Sequence, residues 1–166
     1  KTFKELGLGE RTGIEINIPK ESKGVVPDST TKKSLTKVML KLRLEKEIDK
    51  YIQDGKSKED YDFTKIIDTI VNWTEEETVL SRTEVIKRLE DMQLKATEII
   101  GNSKSTLADM IKFDYLNQAS WSNADSLNTV IGQGQNAYTP IQMARLMAMI
   151  ANGGQKIKTS VIEKIV

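Results

Sequence analysis

One segment near the C-terminus restricts the possible folds of this chain most, because it marks both ends of an apolar helix. Thr139 is a favourable N-cap, since its hydroxyl can accept a hydrogen bond from a free amide of the first turn. Pro140 suits the first helical position, and Gln142 is spaced to complete a capping box. Asn152 and Gly153 are left-handed residues typical of a helix end. Most positions between these ends are apolar, so the sequence predicts a helix buried on most sides inside a larger body.

Three segments of the chain, in order, resemble a known family. Residues 131–154 resemble the pattern Ile-Gly-Gln-Gly-x-x-x-x-Thr-Pro-x-Gln-x-Ala, closed by Ala-Asn-Gly-Gly, of the transpeptidase domain in class B penicillin-binding proteins. Residues 6–16 resemble the family's Phe-Gly-x-Gly-x-x-Thr-Gly-Ile-x-Leu, with leucine where phenylalanine is usual. Residues 121–130 resemble the Trp-x-x-Gly-Asp-Thr-Leu-Asn-Thr-Ala run that leads into the first pattern. The resemblance covers residues 1–27 and 121–160.

The resemblance implies an α/β transpeptidase domain of the penicillin-binding-protein and β-lactamase type. Such a protein is a peptidoglycan D,D-transpeptidase. Its serine attacks D-Ala-D-Ala stem peptides, releases D-Ala and passes the acyl group to a neighbouring stem amine, and β-lactams acylate the same serine. Stem peptides and β-lactams are therefore the partners implied for the parent protein, on the extracytoplasmic face of the bacterial cell membrane. An N-terminal helix normally anchors these proteins; this chain begins inside a family motif, so we expect a fragment.

The segments that carry the resemblance are separated by a long stretch that the family pattern does not require. We therefore divide the chain into a transpeptidase segment at 1–27, a helical insertion at 28–120 and a second transpeptidase segment at 121–166. The expected fold class is mainly α, with a helical-bundle insertion flanked by pieces of the α/β transpeptidase domain. In the first segment, alternating isoleucines predict a short strand over residues 14–18.

Hydrophobic periodicity and caps predict short-looped helices in the insertion, typical of a bundle. The Thr74–Glu77 and Ser81–Glu84 pairs both have capping-box spacing. The expected helices are one from about Lys32 to Gln53 capped by Ser29 or Thr31, one opened by Asp60 or Asp62, one after Ser81 that ends at Gly101-Asn102, and one from about Thr106 to Asn117.

Composition excludes several functions. The chain has no cysteine and no histidine, which removes disulfides, thiol nucleophiles, Ser-His-Asp triads and histidine metal sites. Lys and Arg number 25 against 24 for Asp and Glu, so a net charge of +1 gives no electrostatic support for nucleic-acid binding. No apolar run is long enough to span a membrane. We expect no cofactor.

The catalytic motifs of the family are Ser-x-x-Lys, Ser-x-Asn and Lys-Thr-Gly or Lys-Ser-Gly. Residues 29–32 and 34–37 match the first in form, but the family's nucleophile precedes the motif at 6–16, so a helix cap and a solvated lysine explain them better. Residues 122–123 have the wrong spacing for the second. Residues 158–160 imitate the third with serine in place of glycine, and we expect a loop or edge strand there. No catalytic, cofactor-binding or metal-ligating residue is assigned.

Three weaker patterns have structural explanations. Glu75–Glu77 is acidic, but consecutive helical residues diverge and favour a helix N-terminus over a metal site. The Gly132–Gly134 pair is expected to form a turn and not a phosphate-binding loop. Trp73 and Trp121 are expected to be core anchors.

Three functions remain open at this stage. The chain is a fragment of a transpeptidase that cross-links peptidoglycan and, alone, is inactive. Alternatively, its insertion is a helical protein-interaction module that docks onto another component of the cell-wall assembly or covers part of the active-site approach. A β-lactam sensor or a catalytically inactive relative would share the same scaffold. Without the parent body, apolar residues of the 139–152 helix would be exposed and would favour self-association.

Overall fold

The computed structural model describes residues 2–15, 21–101 and 103–161. These residues are mostly helical, with two isolated antiparallel β-bridges, Val25–Ala137 and Ile52–Leu94, so the mainly-α expectation is confirmed. The chain forms two compact units, one of residues 1–28 and 122–166 and the other of residues 29–121. The assignment of these stretches to a transpeptidase body and an insertion stays a prediction.

The α-helices are numbered here in chain order. They are α1 (Thr2–Glu5), α2 (Ser29–Glu47), α3 (Phe63–Asn72), α4 (Arg82–Asp91), α5 (Leu107–Asp109), α6 (Asn117–Ala119), α7 (Asn123–Val130) and α8 (Pro140–Ala151). Three 3₁₀ turns lie at Ile48–Tyr51, Lys58–Asp60 and Trp73–Glu75, and a π-helical stretch, Met110–Leu116, joins α5 to α6. None of the described helices combines the length and apolar character needed to cross a membrane.

The unit of residues 29–121 has its own hydrophobic core. Helix α2 packs against α3 and α6, and α4 packs against α5 and the π-helical stretch. The core is centred on fully buried aliphatic side chains contributed by most of these helices, including Leu40, Leu44, Ile70, Val85, Leu89 and Ile111. Because side chains from distant parts of the sequence share this core, the unit has the anatomy of an independently packed domain.

Helix α2 has a second apolar face that the core does not use. Its buried side chains recur every four residues, from Lys32 through Leu40 to Leu44. A separate stripe of large apolar side chains is exposed to solvent: Leu35, Val38, Met39 and Leu42. Their spacing of three and four residues places them on one side of the helix. We call these four residues the α2 stripe.

The predicted start and end of α2 are corrected. The helix begins at Ser29, so neither Ser29 nor Thr31 is the residue before it, and the α-helical part ends at Glu47. A 3₁₀ turn, Ile48–Tyr51, continues the chain in place of the predicted last turns. Ile52 then leaves the helix to pair with Leu94, which explains the early end.

The helix after Ser81 begins as predicted and ends earlier. The Ser81 hydroxyl accepts a hydrogen bond from the Glu84 amide, which confirms the cap, but α4 ends at Asp91 and not at Gly101. Gln93 has a φ of 59°, and the Leu94 amide bonds back to the Leu89 carbonyl. A residue in the left-handed region ends a helix in this way.

Two other predicted caps have opposite outcomes. Asp62 caps α3, because its side chain accepts a hydrogen bond from the Lys65 amide. The Thr74–Glu77 pair caps no helix: Thr74 is buried and its hydroxyl donates to the Val71 carbonyl. Its capping-box spacing was therefore misleading, because the side chain satisfies the end of α3 instead.

The last helix of this unit has the predicted start. The Thr106 hydroxyl accepts a hydrogen bond from the Asp109 amide. The helical segment runs two residues beyond the predicted Asn117, to Ala119, and contains the π-helical stretch.

The unit of residues 1–28 and 122–166 is built around α7, α8 and the N-terminal segment. The predicted strand over 14–18 lies largely outside the described residues, and Ile14 and Glu15 join no β-ladder. The structure adds helix α7, which the sequence reasoning missed. Its signal was the Ser122-x-x-Asp125 spacing, since these two residues form a complete capping box.

Helix α8 has the predicted ends, and few of its side chains are buried in this chain. Asn152 has a φ of −94°, and the left-handed residue at this end is Gly153, with a φ of +68°. Only Gln142 and Met149 of α8 are buried, while Met147 and Ile150 are exposed. In this chain α8 is therefore only partly covered, as expected without a parent body, and its burial inside a larger body stays a prediction.

A close backbone approach joins the N-terminal segment to the turn before α8. The Val25 amide donates to the Ala137 carbonyl at 2.6 Å, and the Ala137 amide returns a bond of 3.1 Å. Gly24, with a φ of +66°, precedes this bridge. A Cβ atom on Gly24 would lie 2.4 Å from the Ala137 carbonyl oxygen, so only glycine fits without a shift of the backbone.

We expect Gly24→Ala to lower the free energy of unfolding of this unit by about 3 kcal/mol, since alanine at this position combines a left-handed φ with a backbone clash. Gly132→Ala is the matched control, because Gly132 has a φ of +78° and open space around its Cβ position. It should cost only about 1–2 kcal/mol. Amide hydrogen exchange at Val25 and Ala137 measures both effects. Equal losses in the two variants would contradict the close-approach argument.

Candidate functional site

The best-defined polar site in the described residues surrounds the start of α8. Thr139 caps the helix through a bond of 3.3 Å from the Gln142 amide to its hydroxyl. The Gln142 side-chain oxygen accepts from the Thr139 amide at 2.9 Å, which completes the predicted capping box. Pro140 occupies the first helical position. These bonds are local, and the sequence alone predicted them.

The other end of the Gln142 side chain makes contacts that the sequence did not reveal. Its Nε2 donates to the Glu10 carbonyl at 2.6 Å and to the Lys23 carbonyl at 2.8 Å. The residue is only 2% exposed. One amide group therefore satisfies a helix cap and two carbonyls that lie more than a hundred residues earlier. We call Gln142, Thr139, Glu10 and Lys23 the Gln142 clasp.

A second set of hydrogen bonds orders the loop beside the clasp. The Glu21 carboxylate accepts from both the amide and the hydroxyl of Thr12, each at 2.7 Å, and from the Gly13 amide at 3.3 Å. These bonds from Thr12 hold the pKa of the Glu21 carboxyl below its usual range. Thr12 and Gly13 belong to the segment that resembles the family, and Glu21 was not singled out from sequence.

Residues 158–160, which imitate the third catalytic motif, contact Glu15, three residues after Thr12. Ser160 donates a short hydrogen bond to the Glu15 carboxylate, and the Lys158 ammonium lies 3.2 Å from it. The bond from Ser160, followed by the contact with Lys158, lowers the pKa of Glu15. Residues 155–160 have no regular secondary structure. The lysine and serine therefore contact a carboxylate of their own chain.

Each Ser-x-x-Lys match lies on α2, where its lysine is engaged elsewhere. The Lys32 ammonium donates to the Ser120 carbonyl at 3.0 Å. Lys37 forms an ion pair with Glu75, and Lys33 joins the same carboxylate at 3.3 Å. These bonds hold the pKa of Glu75 below its usual range, with the bond from Lys37 the largest cause. The lysines thus serve contacts between helical elements.

The acidic Glu75–Glu77 segment does not begin a helix, so its predicted place at a helix N-terminus is wrong: it follows the Trp73–Glu75 3₁₀ turn into an irregular stretch. Glu76 pairs with Arg88, and no group of three or more acidic side chains is arranged to hold a metal ion in the described ranges. Trp73 is buried in the core, and the Arg88 guanidinium lies 5.7 Å from its ring centroid. Trp121 is half-buried and is not among the core residues of its unit, so its prediction as a core anchor is not confirmed. Gly132 and Gly134 both adopt a positive φ in the turn between α7 and α8.

Comparison with known families matches residues 46–166 of this chain to the penicillin-binding protein transpeptidase domain. The match covers most of the chain, so this protein belongs to that family. The matched range contains α7, the glycine turn and α8. It begins within α2, so it takes in most of the predicted insertion and leaves out the segment 6–16. No curated protein and no solved structure gives a significant match.

We expect Gln142→Leu to lower the free energy of unfolding of the unit of residues 1–28 and 122–166 by about 3 kcal/mol. The backbone groups of Glu10, Lys23 and Thr139 would each lose a hydrogen-bond partner. Gln142→Glu separates the role of this side chain in the α8 cap from its hydrogen bonds to the Glu10 and Lys23 carbonyls. Glutamate could still accept from the Thr139 amide, but its carboxylate would face two carbonyl oxygens, so we expect destabilisation here too.

Gln135→Leu is the matched control, since Gln135 is exposed in the neighbouring turn. It should change stability by less than about 0.5 kcal/mol. Hydrogen exchange at the Val25 and Ala137 amides provides the measurement. If Gln142→Glu were as stable as the unsubstituted chain, the bonds to the two carbonyls would not matter and the clasp would be only a helix cap.

Proposed function

We propose that this chain forms scaffold of a class B peptidoglycan D,D-transpeptidase and supplies none of the residues that acylate. The family match over residues 46–166 carries this proposal. In such an enzyme the substrate is a D-Ala-D-Ala stem peptide, and β-lactams compete for the same serine. The proposed location is the extracytoplasmic face of a bacterial membrane.

The contacts of the Ser-x-x-Lys matches support the absence of a nucleophile. A serine needs a nearby base that can take its proton. Lys32 is directed to a backbone carbonyl, and Lys37 to the Glu75 carboxylate. Both nitrogens contribute to packing within residues 29–121, and these contacts support a structural role for Ser29 and Ser34 over that of a nucleophile.

The exposed apolar surface of the unit of residues 1–28 and 122–166 is consistent with the scaffold role. Apolar side chains on α7 and α8 are largely exposed, among them Leu127, Val130, Met147 and Ile150. Exposed apolar surface of this kind marks a place where another part of a protein packs. In the proposed enzyme, the remainder of the transpeptidase body covers these residues.

Labelling with a fluorescent penicillin tests the proposal in the gene product that contains this chain. We expect one covalent adduct, located by peptide mass mapping outside residues 1–166, and unchanged labelling in the double variant Ser29→Ala with Ser34→Ala. The 166-residue chain alone should take no label. A gene product that is never labelled would refute a penicillin-binding enzyme, and an adduct at Ser29 or Ser34 would refute the scaffold assignment.

We propose as a second function that residues 29–121 form a helical module that binds another component of the cell-wall assembly. The observation that favours it is the exposed α2 stripe on a unit that already has a complete core of its own. A stripe that the core does not need is available to a partner.

Deletion of residues 29–121, with a short Gly-Ser linker in their place, tests this second function by crosslinking in cells. We expect the crosslinks to partner proteins to be lost while penicillin labelling continues, because labelling shows that the rest of the gene product still folds. Crosslinks that persist after the deletion would exclude the module as the binding element.

A further inference from the structure

The unit of residues 29–121 contains a cavity of about 480 Å³ that neither core packing nor the transpeptidase proposal explains. It lies where the C-terminal part of α2 and the following 3₁₀ turn meet the start of α3. Ile48, Phe63 and Ile67 form its apolar lining, and Ile48 and Ile67 also belong to the core. The volume falls within the range of pockets that hold small ligands or single large side chains with their neighbours.

The charged side chains around the cavity leave an acidic excess. Lys41 is paired with Asp68 at 2.8 Å, outside the cavity lining, and Lys58 is paired with Asp49 at 2.5 Å. The two other carboxylates of the lining belong to Glu45 and Glu59.

Among residues 2–15, 21–101 and 103–161, neither the Glu45 nor the Glu59 carboxylate forms an ion pair within 4.0 Å, although Lys41 acts on Glu45 and Lys58 acts on Glu59 electrostatically from a greater distance. The nearby Ser57 hydroxyl is the main cause that lowers the pKa of the Glu59 carboxyl, although that hydroxyl donates its hydrogen bond to Asp60. An occupant that brings positive charge to this rim would therefore gain attraction without displacing an existing ion pair.

Apolar surface continues from the cavity along α2. Glu45 follows Leu42 by three residues and Val38 by seven, so all three lie on the same side of the helix. Val38 and Leu42 are 56% and 52% exposed. A ligand confined to the cavity would leave this surface uncovered, whereas a polypeptide segment could occupy both.

We propose that the cavity binds a segment of a partner protein in which one bulky apolar side chain is flanked by lysine or arginine. The apolar side chain enters against Ile48, Phe63 and Ile67, and the basic groups pair with Glu45 and Glu59. A D-Ala-D-Ala terminus fits less well, because it offers only methyl groups and brings a carboxylate to an acidic rim. This inference rests on the second proposed function and is independent of the transpeptidase proposal.

Titration of the isotope-labelled 166-residue chain with short peptides, followed by NMR, tests the inference. The probe is acetyl-Gly-Lys-Phe-Lys-Gly-amide, and its controls replace phenylalanine by alanine or both lysines by glutamate. We expect chemical-shift changes confined to amides around the cavity. Each control peptide should bind about tenfold more weakly, since the loss of two exposed ion pairs or of one buried aromatic ring lowers the affinity by about that factor. Binding of the lysine peptide should weaken with added salt.

Matched variants locate the site. The double variant Glu45→Gln with Glu59→Gln should weaken the lysine–phenylalanine peptide about tenfold. Glu77→Gln with Glu90→Gln, which removes two exposed carboxylates away from the cavity, should leave it unchanged. Thr64→Trp should fill the cavity and block binding. Thr83→Trp is its control, because Thr83 is the second residue of α4 just as Thr64 is the second residue of α3.

Several results would overturn the inference. Equal binding of the three peptides would show that neither the apolar side chain nor the charge is recognised. Shifts away from the cavity would place the site elsewhere. If the peptide does not bind, and sedimentation shows a dimer that Thr64→Trp disrupts, the occupant of the cavity is a second copy of this chain. If no peptide binds while the 29–121 deletion still abolishes crosslinks, the module stands and the cavity is not its binding site.

Discussion

The side-chain amide of Gln142 is the contact on which the unit of residues 1–28 and 122–166 depends. Its oxygen completes the cap of α8, and its nitrogen holds the carbonyls of Glu10 and Lys23. The side chain is almost fully buried, so these groups have little access to water as an alternative partner. Gly24 permits the same approach by having no Cβ. The N-terminal segment and α8 thus come together through polar contacts rather than through a shared core of large apolar side chains.

The two units therefore obtain their stability from different sources. The unit of residues 29–121 buries a continuous set of aliphatic and aromatic side chains and has ion pairs mainly at its surface. The other unit buries few large apolar residues, Leu8 and Met149 among them, and leaves much of α7 and α8 exposed. Hydrophobic burial is the dominant favourable term in folding, so a unit with little of it gains most from additional packing partners. This difference supports the proposed scaffold role.

Sequence reasoning predicted best those features that are satisfied within a few residues. The caps at Thr139 and Ser81 are confirmed, and of the alternatives Asp60 and Asp62 the structure selects Asp62; each of these side chains accepts a hydrogen bond from an amide three residues later. The same local logic failed at Thr74, whose hydroxyl turned back to the preceding helix, and at the end of α4. At that point the left-handed Gln93 and the pairing of Leu94 with Ile52 overrode a regular apolar spacing. Tertiary pairing overrides helical periodicity when it buries the same side chains in another way.

The amino-acid sequence by itself determined the transpeptidase family, the helical character and most helix starts, because the last two follow from local spacing and backbone chemistry. Only the tertiary structure decided that Gln142 reaches back to Glu10 and Lys23, that Glu21 binds Thr12, and that Glu45 and Glu59 share the rim of one cavity. The physical reason is range. A cap is closed within one turn of helix, whereas these partners are brought together by how the chain folds back, and no local pattern records which distant carbonyl or carboxylate a side chain will meet.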